Sequence, residues 1–555
     1  MKVTRRDLLV WSAGAAAGLM VTPVPWKLLD DVSIWSQNWS WIPQPSHGPV
    51  DVKQSFCTLC PRGCGIKVRM AGGWPVGIAG SAAHPVNRGA LCPLAFGAHQ
   101  LNWDPKRLRA VRHHGNPASW EDARAAFAKC CNEGPVVIVD GHPGRAASVV
   151  LEKFAVNRGG QYRVVDGTET DALRPYEKWS GVPASELGYD LENAQTIVSF
   201  GTPLLDGWGI PGQFTRLWAE QAAGQNDPQL RLIQVESELS RTAARAWQWV
   251  PIHPGAESAL ASGIARVLLE EKLVAARGPV PLMTLAEVAI QTGLSPDAIR
   301  DLTRSIMAQR PVVAVANDAD PAIAALNVLL GAVGAPGGIV RRSKSSTLQV
   351  VADSVIPNAR AVLLDSTVPW DFVPKTDAEV FRFAAWDAGL SKADWLLPAP
   401  GFLEDLTDIP SAPSLPVDTY AVAPNLVRAP HPVQNAAQFL ASVDSSLPTV
   451  EQIIHARCDN LFRSRAGRLC GLQPTPVTSF ASCQKLEEEL RNGGVWMAEP
   501  LTESFRCELK QWPDPFVSSR PEGWSTSWTS GVLPPLASKL YQESNLRDAR
   551  ERRNA

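Results

Sequence analysis

Short, unbroken runs of apolar residues recur along this sequence, and helical patterns such as Ala322–Gly331 separate them. Runs without alternation are typical of strands that are buried on both faces of a parallel sheet. The pattern therefore predicts an α/β fold built on parallel sheets. The predicted strands are Pro135–Asp140, Ala194–Gly201, Arg231–Glu236, Pro311–Ala316 and Ala361–Asp365.

Glycine and acidic residues stand at the carboxyl ends of several of these runs. Gly201 ends the second run and Thr202 follows it, and Glu236 ends the third. In open α/β sheets ligands bind at this edge. The loops are therefore candidate cofactor contacts, although every sheet of this type has such loops and many of them bind nothing.

The first 26 residues have the form of a twin-arginine export signal. Arg5 and Arg6 precede an apolar stretch from Leu8 to Val24 that is rich in alanine and glycine. That pathway carries folded proteins, so it suits a protein that receives a cofactor before export. The residues after the stretch are poor in small side chains, so we expect either a signal or a retained anchor. A stretch of about 17 residues is marginal for spanning a bilayer.

The composition is that of an ordinary globular protein, with 555 residues, 45% of them hydrophobic, and a formal net charge of −2. This length is enough for about three or four domains. A charge so close to neutral, without a basic stripe, argues against a nucleic-acid partner.

The sequence changes character towards its end. From about residue 405 it is rich in proline, serine and alanine, and the last hundred or so residues show little periodicity. We predict an extended tail over 446–555, in which the apolar segment Pro534–Glu543 docks on another surface.

Four cysteines near the amino terminus have the ligand spacing of an iron–sulfur site. A [4Fe–4S] cluster needs one thiolate for each iron, and three closely spaced ligands make a tight loop that a distant fourth closes. Gly63 and Gly65 would let this loop turn sharply. Zinc is the alternative, although its sites more often pair two C-x2-C units, and disulfides come third. The cysteines follow C-x2-C-x3-C-x27-C and are Cys57, Cys60, Cys64 and Cys92.

The remaining cysteines show no metal-ligand spacing. We interpret them as packing residues or occasional disulfides, and we expect two of them to lie on a helix. They are Cys130, Cys131, Cys458, Cys470, Cys483 and Cys507.

The cysteine spacing, the segment Asn87–Pro93 and the leader together resemble the molybdopterin oxidoreductase superfamily, which includes dimethyl sulfoxide reductase, formate dehydrogenase and polysulfide reductase. Leu191–Pro203 resembles the family segment that leads into a guanosine-binding loop, and Val235–Glu257 resembles its next such stretch. Asn327–Gly338 and Ala393–Pro398 match two later landmarks. The resemblance covers roughly residues 50–410.

The resemblance implies a small iron–sulfur domain followed by two interleaved Rossmann-like α/β domains. In family enzymes two molybdopterin guanine dinucleotides lie between these domains and hold molybdenum or tungsten. Gly201, Thr202 and Glu236 would be pterin contacts here. The implied division is a signal or anchor over 1–26, a Trp-rich linker over 27–48, the [4Fe–4S] domain over 49–110, a discontinuous domain over 111–145 with 311–445, a second domain over 146–310, and the tail over 446–555.

The sequence departs from the family in three places. The segment Arg163–Thr170, where family enzymes carry a Ser, Cys, selenocysteine or Asp ligand to the metal, contains no cysteine, and only Asp166, Thr168 or Thr170 could act. Leu94 stands where active members have a basic residue, two positions after the fourth cysteine. The residues after 445 show too few alternating strands for the usual carboxy-terminal β-barrel domain, which we predict to be reduced or missing.

In these departures the chain resembles the shortened, molybdopterin-binding-like subunits of Qrc-type menaquinone reductase and alternative complex III. The segments Ile34–Trp41 and Ser538–Ser544 resemble those subunits in particular. The resemblance implies an iron–sulfur electron-transfer subunit on the periplasmic side of the cytoplasmic membrane, without catalytic molybdenum. Implied partners are a multihaem cytochrome c, a ferredoxin-like iron–sulfur subunit and an integral membrane quinone-binding subunit. The alternatives are an active molybdenum or tungsten bis-pterin oxidoreductase, and a structural subunit that binds zinc or no cofactor.

Overall fold

The computed structural model describes residues 3–21, 48–165, 168–205, 207–221, 228–274, 279–342, 356, 358–368, 372, 374–387, 393–471, 473–501 and 505–513. The predicted Trp-rich segment Ile34–Trp41, the candidate ligand Asp166 and the segment Ser538–Ser544 lie outside the described residues.

The helices begin at side chains that cap them. Ser119, Thr284 and Thr449 each accept a hydrogen bond from the backbone amide three residues on, and the side chain at that position bonds back to the capping residue. The helices are α1 Arg5–Val21, α2 Pro93–Gly97, α3 Trp120–Glu133, α4 Ala146–Asn157, α5 Thr168–Ser180, α6 Pro211–Gln221, α7 Arg241–Arg245, α8 Glu257–Glu270, α9 Leu285–Thr292, α10 Pro296–Met307, α11 Pro321–Leu330, α12 Ala436–Val443, α13 Val450–Ser464 and α14 Cys483–Arg491.

The strands confirm the α/β prediction, because each predicted apolar run contains one of them. They are β1 Val50–Phe56, β2 Gly65–Ala71, β3 Trp74–Gly80, β4 Arg112–His113, β5 Asn116–Pro117, β6 Val136–Asp140, β7 Gln161–Val164, β8 Leu187–Tyr189, β9 Thr196–Phe200, β10 Arg231–Glu236, β11 Gln248–Pro251, β12 Val312–Ala316, β13 Ile339–Arg341, β14 Ala361–Leu364, β15 Glu379–Ala384, β16 Trp395–Pro398, β17 Thr407–Ile409, β18 Thr419–Ala423, β19 Arg468–Cys470, β20 Thr475–Pro476 and β21 Val495–Met497.

Contacts divide the chain into two units, one of residues 1–51 with 70–76 and the other of residues 52–69 with 77–555. The first unit contains α1, where Leu8, Leu9 and Trp11 are exposed. Among the described residues, none of the helices combines the length and the apolar character that a membrane span requires. All structural features below belong to the second unit.

A seven-stranded sheet, in the order β5–β4–β16–β15–β14–β6–β7, is built from two separate parts of the chain. Strands β16, β15, β14, β6 and β7 are parallel, and β4 and β5 extend one edge as antiparallel strands. Helices α3, α4 and α12 contribute Phe127, Phe154 and Phe439 to its buried core. The strands β6 and β14 are buried at every position, as their unbroken apolar runs predict.

A second parallel sheet has four strands in the order β11–β10–β9–β12. Its core includes buried residues of α8, α9, α10 and α11. The carboxyl ends of β9 and β10 carry Gly201 and Glu236 to the same edge, because the strands run in the same direction.

Sheet membership differs from the predicted domain limits in two places. Strand β7 pairs with β6 in the seven-stranded sheet, although the prediction assigns it to the domain over 146–310. A parallel pair needs a long crossover, and α4 between β6 and β7 provides it. Strand β12 pairs with β9 in the four-stranded sheet, although the prediction assigns it to the discontinuous domain.

The predicted extended tail over 446–555 is wrong for residues 450–497. Helices α13 and α14 lie in this region, and β19, β20 and β21 join β17 and β18 in a five-stranded antiparallel sheet. The three strands are two or three residues long, which is too short to show an alternating pattern. That the family's β-barrel domain is reduced or missing stays a prediction.

Candidate metal centre

The structure brings the four predicted cysteines into one site. Strand β1 leads into Cys57, the intervening turn carries Cys60, and Cys64 precedes β2. The Cys57 amide donates to the Cys64 carbonyl at 2.8 Å and closes this loop. Cys92 arrives from another segment as the N-terminal cap of α2. The first three are buried, and Cys92 is only partly so.

Burial raises the pKa of all four thiols. The pKa of Cys60 rises to about 12, first through burial and then through the neighbouring Cys92, and Cys57 and Cys64 are raised further. At Cys92 burial raises the pKa too, but the amides of Ala95 and Leu94 oppose it. Thiolates gathered in a buried site need a cationic group among them, because otherwise they stay protonated.

The sulfurs stand too far apart for a single zinc ion. Zinc holds its thiolates at about 2.3 Å, which places the sulfurs about 3.8 Å from one another. No three of the four Sγ atoms, all of which belong to described residues, lie within 4.8 Å of one another. A [4Fe–4S] cluster is larger than a single zinc ion, so the sulfurs of its four cysteine ligands lie further from one another. The donor set therefore fits a [4Fe–4S] cluster better than zinc.

Gly63 is required by the tight turn between Cys60 and Cys64. Its φ is +62°, in the left-handed region that favours glycine, and a Cβ there would lie 2.2 Å from Cγ2 of Ile409. Gly65 has an ordinary backbone conformation, so the sequence analysis was wrong about its role in the turn. A Cβ on Gly65 would instead meet the ring of His84 at 2.6 Å.

Two buried polar residues fix the segment that carries Cys92. The Asn87 side chain accepts from the Gly65 amide at 2.9 Å and donates to the Ala90 carbonyl at 2.8 Å, so it ties this segment to the start of β2. Nδ1 of His84 accepts from the amides of Val86 and Asn87. Burial lowers the pKa of His84 to about 3, so the ring is neutral.

Helix α6 meets the cysteine loop at its first turn. The Gly212 amide hydrogen-bonds to the Cys64 thiol, and a Cβ on Gly212 would lie 3.1 Å from that sulfur and 2.8 Å from the Ala90 carbonyl oxygen. The next residue, Gln213, is fully buried, and neither polar atom of its side chain has a partner in the described part of the chain. A buried amide without partners, next to Gly212 in the chain, fits a site that holds a further group.

Charged residues from three segments surround the thiols. Arg62, inside the cysteine loop, forms an ion pair with the buried Glu169 of α5. Glu169 lies in the segment where family enzymes carry their metal ligand. Arg241 of α7 is close enough to Cys92 to lower the pKa of that thiol. Leu94, which stands where a basic residue would be expected, is apolar. The cation near Cys92 is instead Arg241, which comes from a different segment.

The carboxyl edge of the seven-stranded sheet is filled by an internal ion network. Arg145 Nη2 donates to Oδ1 of Asp140 at 2.9 Å and to Oδ2 of Asp365 at 2.8 Å. Ser148 and Tyr162 donate to the other oxygen of Asp140 at 2.6 and 2.9 Å. Burial opposes the charge on Arg145, yet the two aspartates raise its pKa above the ordinary value.

His142 connects this network with the cysteine loop. Its ring is hydrogen-bonded to the backbone of Pro61, between Cys60 and Arg62. Burial lowers the pKa of His142 well below its ordinary value, and the Arg145 cation adds to the effect. The ring is therefore neutral.

The three predicted pterin contacts lie together at the carboxyl edge of the four-stranded sheet, but their polar groups bond within the protein. The Gly201 amide donates to the Val235 carbonyl at 2.8 Å. The Thr202 hydroxyl is fully buried and bonds to the carbonyls of Phe200 and Val315. The Glu236 carboxylate accepts from the Ser240 amide and from Gln234.

The same edge carries a group of carboxylates. Burial raises the pKa of Glu257, at the start of α8, and Asp318 and Glu236 raise it further. The pKa of Asp320 is raised to about 6, mainly by burial. Glu236, Glu257 and Asp320 thus place carboxyl groups at the carboxyl edge of the four-stranded sheet, where an acidic side chain can accept from a ribose hydroxyl of a dinucleotide.

The cysteine loop, its glycine turn and the later fourth cysteine decide the family of this region. Residues 50–100 match the molybdopterin oxidoreductase Fe4S4 domain. The match confirms the resemblance drawn from the cysteine spacing. All four cysteines lie inside the Fe4S4 domain.

Relatives of this chain include subunits of menaquinone reductase and of formate dehydrogenase. The chain is 31% identical over 365 residues to the molybdopterin-binding-like subunit of menaquinone reductase from Nitratidesulfovibrio vulgaris, over 61% of this chain and 52% of that protein. It is 26% identical over 259 residues to the major subunit of nitrate-inducible formate dehydrogenase from Escherichia coli, over 40% of this chain and 25% of that protein. The chain thus spans about half, or less, of the length of these curated relatives.

The fold is also that of a solved structure. Acetylene hydratase from Pelobacter acetylenicus superimposes with a TM-score of 0.58 over 80% of this chain and 74% of that chain, at 13% sequence identity. The chain therefore has a mixed α/β fold with an amino-terminal Fe4S4 domain, similar to that of molybdopterin oxidoreductases.

Several residues that reach the thiols from outside the motif could not be predicted from the sequence. Gly212, Arg241 and His142 lie far from the cysteines along the chain, and no local pattern marks them. Arg62 could have been found, because it lies inside the motif itself. All ten cysteines are free thiols, so no disulfide forms among the remaining six, and Cys130 and Cys131 lie on α3 as predicted.

Proposed function

We propose that this chain is the iron–sulfur electron-transfer subunit of a quinone-linked respiratory oxidoreductase complex and that it holds one [4Fe–4S] cluster and no catalytic molybdenum. The observation that carries this proposal is that Cys57, Cys60, Cys64 and Cys92 lie close enough to raise one another's thiol pKa, with the first three buried. Such a cluster supplies one-electron transfer when bound. The similarity to the menaquinone reductase subunit supports the quinone-linked setting.

The chain's own residues would hold and tune the site. The amides of Gly212, Ala95 and Leu94 point at thiols and favour their anionic form. Burial keeps water from Cys57, Cys60 and Cys64. Cys92 is the least buried of the four, so we infer that a redox partner approaches on its side.

Two features support the absence of a pterin. Arg145 bonds to Asp140 and Asp365, so the chain's own side chains occupy one ligand-binding edge. At the other edge the polar groups of Gly201, Thr202 and Glu236 already form hydrogen bonds within the protein. A pterin dinucleotide would have to displace the first group and compete with these bonds at the second edge.

The proposed setting is the periplasmic face of the cytoplasmic membrane, reached by the twin-arginine pathway. Arg5 and Arg6 and the exposed apolar residues of α1 support this proposal. We propose as partners a multihaem cytochrome c, a ferredoxin-like iron–sulfur subunit and an integral membrane quinone-binding subunit.

Metal analysis, pterin extraction and low-temperature EPR of the purified complex test the proposal. We expect about four irons per chain, no molybdenum, no tungsten and no pterin, together with a reducible cluster signal. Stoichiometric molybdenum or tungsten would overturn the proposal in favour of an active bis-pterin enzyme. Zinc without a reducible signal would leave only a structural role.

Removing the cation near Cys92 is expected to lower the reduction potential of the cluster. In Arg241→Gln the reduced, more negative state loses a favourable charge, so we expect a fall of roughly 10–40 mV. EPR-monitored redox titration measures it. Arg245→Gln is the matched control, because Arg245 lies on the same helix but stacks over Trp218 at 5.0 Å. Equal shifts in both variants would contradict the assigned role of Arg241.

Phe96, four residues after Cys92, is 49% exposed and is a candidate contact for the redox partner. In Phe96→Ser we expect weaker docking and roughly tenfold slower cluster reduction by the assembled complex. Freeze-quench EPR measures the rate, and the signal of the reduced cluster should keep its shape. Ile290→Ser, on α9 at 78% exposure, provides a control with the same loss of apolar surface. An unchanged rate in Phe96→Ser would place the partner elsewhere.

A further inference from the structure

A second group of metal-ligand atoms lies in the carboxy-terminal part of the chain, away from the Fe4S4 domain in sequence. Nδ1 of His455, Sγ of Cys483 and a carboxylate oxygen of Glu487 all lie within 4.8 Å of one another. The His455 nitrogen and Oε2 of Glu487 are 2.8 Å apart. No spacing in the sequence marks this group, because its members come from two helices.

The helices hold the three residues in place. His455 lies on α13, whereas Cys483 and Glu487 lie one turn apart on the same face of α14. Ile454 and Leu486, which neighbour the group along their helices, are both fully buried in one apolar core. The backbone beneath the ligand atoms is therefore fixed by packing.

Arg491 orients the carboxylate. Its Nε and Nη2 donate to Oε1 of Glu487 at 3.1 and 2.8 Å, which leaves Oε2 directed at His455. Arg491 is itself paired with Glu451 of α13. An outer residue that fixes a ligating carboxylate in this way is typical of metal sites.

We propose that His455, Cys483 and Glu487 bind one divalent transition-metal ion of the zinc class. A thiolate, an imidazole and a carboxylate are ligands that zinc accepts, and the two anionic groups balance its charge. Binding breaks the hydrogen bond between Nδ1 of His455 and Oε2 of Glu487. The ring then coordinates as the tautomer protonated on Nε2, and the thiol proton of Cys483 leaves to solvent. The His455 side chain is 54% exposed, so an ion and a fourth, water ligand have access from solvent.

The geometry needs little adjustment. Two ligands held at about 2.1 Å in a tetrahedral site stand about 3.4 Å apart. The nitrogen and oxygen of His455 and Glu487 are 2.8 Å apart, so they would move apart by only a few tenths of an ångström. Cys483 is part of the buried apolar core, as predicted, and the proposed site adds a second role to it. The proposal is independent of the proposed electron-transfer function.

Cobalt substitution tests the proposal on the full chain with its iron–sulfur cluster intact. The protein is treated with a chelator, checked for unchanged iron content, and titrated with Co²⁺. We expect one Co²⁺ per chain and a thiolate-to-cobalt charge-transfer band in the difference spectrum, which added Zn²⁺ abolishes. In Cys483→Ser we expect the band to disappear.

Two further variants keep the test decisive. His455→Ala removes a largely exposed side chain and should fold normally, yet we expect its Co²⁺ affinity to fall by at least about tenfold. Cys470→Ser removes a buried thiol from β19 and should leave the band unchanged. A wild-type protein without the band at saturating Co²⁺ would overturn the proposal and leave a simple hydrogen-bonded pair. So would equal affinities and bands in wild type, Cys483→Ser and His455→Ala.

Discussion

Replacing Cys60 by alanine is expected to abolish the low-temperature EPR signal of the reduced chain and to lower its iron content from about four atoms towards none. Cys60 lies at the centre of the loop between Cys57 and Cys64, and only 8% of it is exposed. Without Cys60 only three thiols remain for the four irons of the cluster. Iron analysis and EPR of wild type and variant, purified side by side, measure the effect.

A matched control removes a different buried thiol. Cys470→Ala deletes a side chain that is 7% exposed in β19, outside the Fe4S4 domain, so its iron and its signal should equal those of wild type. Cys92→Ser offers a milder change, because serine supplies an oxygen at a partly exposed position, and we expect a shifted signal. An unchanged signal in Cys60→Ala would show that Cys60 is not a ligand.

The sequence predicted this site because the three loop cysteines are local. Cys57, Cys60 and Cys64 lie within eight residues, so their spacing alone forces them together. The environment that would tune them could not be predicted in the same way. Gly212 reaches Cys64 from α6, and Arg241 reaches Cys92 from α7, and both depend on how whole layers pack.

The strands of the two parallel sheets were predicted for a similar reason. A strand buried on both faces, such as β6 or β12, leaves an unbroken apolar run in the sequence. Which sheet each strand joins depends on long-range contacts, so the sheets that β7 and β12 join could not be predicted from their own residues. The carboxy-terminal strands were not predicted, because β19 and β21 are only three residues long and leave no alternating pattern in the sequence.

The Arg145 side chain lies at the carboxyl edge of the seven-stranded sheet, where ligands bind in many proteins with such sheets. Its guanidinium lies between Asp140 and Asp365, and its Nε donates to the His142 carbonyl at 2.8 Å. The network connects β6, β14 and, through His142, the cysteine loop. It therefore fixes the sheet edge against the domain that holds the four thiols.

Arg145→Met is expected to destabilise this edge strongly. The substitution leaves Asp140 and Asp365 buried at 0% and 3% exposure without their cation, a type of loss that costs about 3–5 kcal/mol. Hydrogen exchange of peptides covering β6 and β7 measures it as faster amide exchange. Arg360→Met, which breaks an exposed pair with Glu133, should leave the same peptides nearly unchanged.

A triple variant separates this explanation from pterin binding. Adding Asp140→Asn and Asp365→Asn to Arg145→Met removes the two buried carboxylates that lack a cation. Amide exchange in the β6 and β7 peptides should therefore be slower than in Arg145→Met alone. If Arg145 bound a pterin phosphate instead, the Arg145→Met complex would contain less pterin than the wild-type complex, and amide exchange at β6 would be unchanged. That result would contradict the internal role of Arg145 and, with it, the main support for a chain whose only redox centre lies at the four cysteines.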